Sequence, residues 1–178
     1  MLDGTIEMDE TYVGGKVSGK GQRYARKQKQ VVIGIRQRSG ELRFFHARDA
    51  SAGTLAQYVK ENISQDVEVL VTDDWPGYQN AMKTAGIDGE HKTVNHRGKE
   101  YVRYENGACV TTNTIESAFS LLKRGIIGSW HKVSAKHLPA YLDEMTFRFN
   151  RRKSSTLFLD TLRHMVTAPV LTFEKLTA

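Results

Sequence analysis

The order of predicted strands and helices constrains the fold more than any other feature of this sequence. Polar and apolar residues alternate over 5–13, which is the pattern of a strand. An apolar run over 31–35 predicts a second strand, and Ser39-Gly40 predicts a turn into a third strand over 42–47. The first 47 residues therefore predict the beginning of a β-sheet that contains a hairpin.

Helices and strands alternate in the next part of the chain. Apolar spacing predicts a helix over 52–63, and Val67, Val69 and Val71 predict a short buried strand that ends at Asp73. The remaining predictions are a helix near 77–85, a weak strand near 91–95, a loop over 96–112, and helices at about 113–124, 134–150 and 155–166. This order predicts an α/β fold with a mixed five-stranded sheet flanked by helices. The ribonuclease-H-like fold is one architecture with this order, and order alone does not single it out.

Length and composition narrow the class of protein. The 178 residues suffice for one domain, and 39% hydrophobic residues can form a single core, which excludes a disordered chain. There is no apolar run long enough to span a bilayer and no apolar signal-peptide segment. One cysteine, Cys109, excludes a disulfide framework and a Cys-rich zinc site. We therefore expect a cytoplasmic protein.

Basic residues are concentrated in two regions of the sequence. The net charge is +6, and residues 16–40 contain eight Lys or Arg and no acid. A second group lies in the last third of the chain: Lys123, Arg124, Lys132, Lys136, Arg148, Arg151, Arg152 and Lys153. Two basic regions favour a polyanionic partner, and a solvated loop with a basic helix face is the equally simple alternative.

Three acids occupy unusual positions. Asp9 lies in the middle of the first strand, Asp73 lies where a buried strand ends, and Glu116 lies in the first turn of a helix. Carboxylates from separate elements can converge to bind Mg²⁺, which prefers oxygen ligands and serves phosphoryl transfer. Periodicity alone does not exclude two other acids as candidates for the same role. Glu7 shares the face of Asp9, and Asp74 adjoins Asp73.

Each acid also has a structural interpretation. Glu116 follows Asn113 by three residues, as in a capping box. Asp73 is placed to begin an Asx-turn before Trp75-Pro76-Gly77. Asp9 fits an edge strand whose side chain faces solvent.

The helix that carries Glu116 has a polar stripe. Asn113, Glu116, Ser120 and Lys123 fall on one side, with Glu116 and Lys123 about 20° out of line and about 10 Å apart along the axis. An acid followed by a lysine at this spacing suits a DNA backbone. Among the histidines, only His96 is a candidate functional residue.

Four motifs, in order, resemble one family. They are Ile6 to Lys16 (IEMDETYVGGK), Val71 to Tyr78 (VTDDWPGY), Asn113-Thr114-Ile115-Glu116 running into Leu121 to Gly125 (LLKRG), and His137 to Arg152. The chain resembles the DDE-type transposases of bacterial insertion sequences, in the branch related to the Merlin transposons. The resemblance runs from about residue 5 to residue 153.

This resemblance implies a ribonuclease-H-like catalytic domain that cleaves and joins DNA at transposon ends. It implies that Asp9, Asp73 and Glu116 are the catalytic acids and hold Mg²⁺ or Mn²⁺, as two ions. It also implies that Lys123 contacts transposon-end DNA and that Asn113 and His96 orient substrate or ligands. We add Arg124 and Lys16 to the expected DNA-binding residues because they belong to the two basic regions.

The same resemblance predicts the domain organisation. Residues 1–153 are expected to form the catalytic domain, and 154–178 a C-terminal helix and tail packed on it. The Cys-rich zinc-binding and helix-turn-helix region of the family is expected to be absent, because the catalytic strand begins within the first ten residues. We expect DNA and a second copy of the chain as partners, with no organic cofactor and no membrane. A DNA-binding remnant without catalysis and a stand-alone nuclease are the alternative functions.

Overall fold

A computed structural model describes residues 1–15, 29–98, 100–105 and 107–177 of the chain. Seven strands are present in this part: β1 (Thr5–Val13), β2 (Gln30–Gln37), β3 (Leu42–Ala47), β4 (Val69–Asp73), β5 (Glu90–Val94), β6 (Arg103–Glu105) and β7 (Ala108–Val110). The described α-helices are α1 (Ala52–Asn62), α2 (Pro76–Ala85), α3 (Asn113–Gly125), α4 (Leu138–Arg151), α5 (Leu157–Thr167) and α6 (Phe173–Thr177). A π-helical turn, Ile126–Trp130, extends α3. None of the helices in the described ranges combines the length and the apolar character that a membrane crossing needs.

The main sheet has five strands in the order β3-β2-β1-β4-β5. β1 pairs antiparallel with β2, and β2 pairs antiparallel with β3, which confirms the predicted hairpin. β1 pairs in parallel with β4, and helix α1 lies in the connection between them. β4 pairs in parallel with β5, and helix α2 lies in that connection. This order and polarity confirm the predicted mixed α/β sheet and are those of a ribonuclease-H-like fold. Because β1 is the central strand, the interpretation of Asp9 as an edge-strand residue is wrong.

The predicted loop over 96–112 is wrong in part. A 3₁₀ turn, His96–Gly98, is followed by a two-stranded hairpin of β6 and β7. Three-residue strands are too short to give a recognisable alternation, so this hairpin has little sequence signal. It leads directly into α3, the helix that carries Glu116.

Each face of the sheet has its own hydrophobic core. Ile6 and Met8 point from β1 into a core shared with α1 and α2. The opposite face packs against α3 and α4, where Ile115 and Phe119 are buried against β2 and β3. The predicted alternation of β1 is confirmed, and its polar positions face α3. The sheet face against α3 is therefore the one that brings polar side chains together.

Candidate active site

Asp9 and Asp73 lie on neighbouring parallel strands. In the ladder between β1 and β4, Glu7 pairs with Val71. Asp9 and Asp73 each lie two residues beyond this pair. Alternation along each strand therefore places both acids on the sheet face of Glu7 and Val71, the face on which α3 packs.

The carboxyl group of Asp9 lies in a crowded electrostatic environment. Burial, the charge of Glu10, and the charges of Asp73 and Glu116 raise the pKa of Asp9 well above its ordinary value, and one backbone hydrogen bond opposes them. That bond comes from the N–H of Glu10, 2.8 Å from Asp9 Oδ1. Asp73 and Glu116, from two other elements, are thus close enough to Asp9 to influence its carboxyl group. That proximity is what the sequence hypothesis requires.

Asp73 ends β4 and also shapes the turn after it. Its Oδ1 accepts a hydrogen bond from the backbone N–H of Trp75 at 3.0 Å. This is the Asx-turn that the sequence offered as an alternative, and it uses one of the two carboxylate oxygens. Asp74, the rival of Asp73, follows the last residue of the strand. The structural and the chemical interpretations of Asp73 are therefore compatible.

Glu116 contacts two side chains near the start of α3. Its Oε1 accepts a hydrogen bond from the Thr112 hydroxyl at 2.9 Å and lies 3.1 Å from His96 Nε2. His96 Nε2 is also 3.0 Å from Thr112 Oγ1, so the three groups form a closed cluster. Thr112 occupies the N-cap position without a side-chain capping bond, and Glu116 is the fourth helical residue. The capping-box interpretation, which began the box at Asn113, is therefore wrong.

Two other acids of β1 have different partners. Glu7 is fully buried, and its carboxylate accepts hydrogen bonds from the first turn of α3. Glu10 points to the opposite face, where its Oε2 accepts a hydrogen bond from the Tyr78 hydroxyl at 2.6 Å. Sequence reasoning missed the role of Glu7 and the contact of Thr112 with Glu116. A signal existed for Thr112, since a threonine before a predicted helix is a typical N-cap residue.

A cleft of about 440 Å³ opens beside this group of acids. Asp9 and Glu116 line it together with Ser120 and Lys123, so the predicted polar stripe of α3 faces the cleft. Arg124 and the exposed Ile127 complete the rim on the α3 side. Asn113 begins α3 as an exposed residue and does not line the cleft, whereas Lys16 lies outside the described residues. The cleft thus brings three acidic residues, Asp9, Glu10 and Glu116, beside two exposed cations.

The acids match a divalent cation in charge and in donor type. Mg²⁺ and Mn²⁺ prefer carboxylate oxygens, and a cation would relieve the repulsion that raises the pKa of Asp9. Within the part of the chain that the structure describes, no three His, Cys, Asp or Glu side chains are close enough together to form a metal site. The carboxylate donors therefore suit a divalent cation, but in this structure they are not close enough together to bind one.

Comparisons with known proteins place this geometry in context. A solved chain in the cryo-EM structure of a simian T-cell lymphotropic virus intasome in complex with PP2A regulatory subunit B56 gamma matches with a TM-score of 0.48 and 13% identity. The match covers 97% of this chain and 51% of that one, so this chain spans about half of its length. The comparison with curated proteins gave no match. The family model of the ISXO2-like transposase domain matches residues 1–150. Because that match spans most of the 178 residues, the chain belongs to the family of ISXO2-like transposase domains.

Proposed function

We propose that this domain cleaves and joins DNA at transposon ends by metal-dependent phosphoryl transfer. The proposal rests above all on one observation: Asp9 and Glu116 line the same cleft, and the charges of Asp73 and Glu116 help to raise the pKa of Asp9. Family membership supports the transposase activity in general. We also propose that the chain is related to the Merlin transposons and that it is located in the cytoplasm.

Asp9, Asp73 and Glu116 would hold Mg²⁺ or Mn²⁺, as two ions. Such ions supply electrostatic stabilisation to the attacking and leaving oxygens of an in-line displacement. The carboxylates come from a central strand, a strand end and a helix start, so each is fixed by its own element. Thr112 and His96 orient the Glu116 carboxylate through the contacts described above.

The cleft gives the DNA backbone a place to bind. Lys123 and Arg124 are exposed on its rim, and their charges suit phosphate oxygens on either side of the scissile bond. Asn113 and Lys16 extend this proposal as further DNA contacts. Water would attack the phosphodiester that these residues position beside Asp9 and Glu116 and release a 3′-hydroxyl at the transposon end. That hydroxyl would then attack a phosphodiester of the target DNA in line and displace the 3′-oxygen of the target strand.

The test uses supercoiled plasmid DNA with Mg²⁺ or Mn²⁺. Asp9→Asn, Asp73→Asn and Glu116→Gln should each abolish nicking and strand transfer while DNA affinity is retained. Asp88→Asn and Glu61→Gln, which change exposed acids outside the cleft, should keep activity. DNA binding without cleavage by the unaltered chain would instead favour a non-catalytic remnant. Hydrolysis without joining would favour a nuclease.

We further propose that the chain acts as a homodimer, since two transposon ends must be joined in one complex. The support is helix α5, whose described residues include none that is buried. Its polar side meets α4, where His164 packs edge-on against Phe147 at a centroid distance of 6.2 Å. The apolar face of α5 consists of five side chains that are 48–79% exposed: Phe158, Leu159, Leu162, Met165 and Val166. An apolar face turned outward is typical of an interaction surface.

A second copy of this chain is the proposed occupant of the apolar face of α5. Asp160 and Arg163 pair with each other within α5, 3.9 Å apart, so the five apolar side chains are left as an uncharged face that can pair with its own copy about a two-fold axis. Light scattering should give the mass of a dimer at micromolar concentration and of a monomer for Leu162→Glu. Tyr104→Glu, which alters an exposed ring on β6, should remain dimeric. A monomeric unaltered chain would contradict the proposal.

A further inference from the structure

Glu7 is a fully buried carboxylate on the face of β1 that points toward α3. It lies two residues before Asp9 on the same strand. A buried carboxylate needs compensating partners, because its desolvation costs several kcal/mol. Glu7 therefore has a role that its partners define.

The main partner of Glu7 is the amino-terminal end of α3. Glu7 Oε2 accepts hydrogen bonds from the backbone N–H groups of Thr114 at 2.9 Å and Ile115 at 3.0 Å, and from the Thr114 hydroxyl at 2.7 Å. With Thr112 at the N-cap, these are the second and third helical residues. A helix start leaves such N–H groups without intrahelical partners, and negative charge is favoured there. A carboxylate 107 residues earlier in the chain thus replaces a local cap.

Arg38 completes the arrangement from the end of β2. Its Nε donates to Glu7 Oε1 at 2.8 Å. Its Nη1 donates to the carbonyl of Cys109 at 2.5 Å, and its Nη2 to the carbonyl of Thr111 at 3.0 Å. One guanidinium therefore holds both the Glu7 carboxylate and the connection between β7 and α3.

The geometry points to Glu7 and Arg38 as positioning residues that fix Glu116 relative to Asp9. Glu116 directly follows Ile115 in α3, and Asp9 lies two residues beyond Glu7 in β1. The Glu7 carboxylate and its helix contacts thus link the strand segment before Asp9 to the helix turn before Glu116. This inference rests on the proposed function of Asp9 and Glu116, and neither Glu7 nor Arg38 needs to touch substrate.

The test compares Glu7→Gln with Glu41→Gln in the complete chain. Glu41 pairs with Arg43 at 3.1 Å on the surface, away from α3, and provides a control for the loss of a Glu–Arg pair alone. Hydrogen exchange of the Thr114 and Ile115 amides should accelerate at least tenfold in Glu7→Gln and stay unchanged in Glu41→Gln. The Mg²⁺ concentration for half-maximal cleavage should rise about tenfold or more, since changing a residue that orients metal ligands costs about 10–100-fold in metal affinity.

If Glu7→Gln does not fold, Arg38→Lys provides a second test. It retains the positive charge toward Glu7 and loses the paired carbonyl contacts, so it should show the same two changes to a smaller extent. Unchanged exchange at Thr114 and Ile115 in a folded variant would overturn the inference. Equal acceleration in β3 and α1 would also overturn it, because the role would then be general stability. Exchange is measured without DNA or metal, so a failure of the proposed activity is seen separately.

Discussion

Gly34 lies directly opposite Asp9 in the antiparallel ladder between β1 and β2. A Cβ atom at Gly34 would come within 2.7 Å of both Ile115 Cδ1 and Phe119 Cζ. Helix α3 therefore approaches the sheet most closely where the sheet carries no side chain. The depth at which α3 sits, and with it the position of Glu116, depends on that glycine.

Gly34→Ala should both destabilise the domain and reduce DNA cleavage. The added methyl group must displace α3, and overpacking of this kind costs about 1–3 kcal/mol. Thermal unfolding should show a Tm lower by several degrees, and plasmid nicking should fall more than the loss of folded protein explains. Gly53→Ala in α1 is the matched control, because a Cβ there meets nothing within 4 Å. A fully active Gly34→Ala variant would contradict the positional role of this contact.

Asn150 should be important for stability although it lies far from the candidate site. Its Nδ2 donates to the Leu42 carbonyl at 2.9 Å, and its Oδ1 accepts from the Leu42 N–H at 2.8 Å. Asn150→Ala leaves both backbone groups of the edge strand β3 without this partner, at a cost of about 1–3 kcal/mol. Urea unfolding should measure that loss, and Asn150→Asp should lose less because the acceptor remains. Equal stability of the unaltered chain, Asn150→Ala and Asn150→Asp would show that these two hydrogen bonds contribute nothing to stability.

Lys123 should contribute to DNA affinity through the phosphate backbone. Each phosphate contact adds about 0.9 to the slope of log affinity against log salt concentration. Fluorescence anisotropy of labelled DNA should therefore give a slope about one unit shallower for Lys123→Ala. Lys60→Ala, on an exposed position of α1, should keep the original slope. A change in the Lys60 variant alone would place the DNA elsewhere.

Asp49 should stabilise the start of α1 in a pH-dependent way. Hydrogen bonds from Ser51 and Thr54 lower the pKa of the Asp49 carboxyl well below its ordinary value. Because the folded-state pKa is depressed, this stabilisation is present above the ordinary pKa of about 3.9 and is lost as the pH falls below it. Asp49→Asn should lower Tm at pH 7, and the difference should shrink at pH 3. The same Tm difference at both pH values would contradict this.

Much of the fold follows from periodicity in the sequence. The alternation of β1, the apolar run of β2 and the spacing of α1 lead to elements whose observed bounds differ by only one or two residues from the predicted ones. These segments are long, and burial on one face imposes a clear period. The hairpin of β6 and β7 is too short for that. The predicted helix over 155–166 is present as α5, and the short helix α6 beyond it was not predicted.

The candidate site was less accessible to sequence reasoning than the fold. Strand alternation places Glu7 and Asp9 on the same face, which the structure confirms, but it cannot tell which of them meets the N-terminus of a helix 107 residues later. The choice of Asp9 over Glu7 came from family resemblance. The Glu7 carboxylate is occupied by α3 and Arg38, which supports the proposal that Asp9 is the catalytic acid.

The most direct test of the metal-binding proposal is anomalous diffraction from crystals of this domain soaked in Mn²⁺. The proposal predicts an anomalous peak contacted by carboxylate oxygens of Asp9, Asp73 and Glu116, and its loss in Asp9→Asn crystals. A Mn²⁺ peak at saturating concentration that involves none of these three side chains would contradict it.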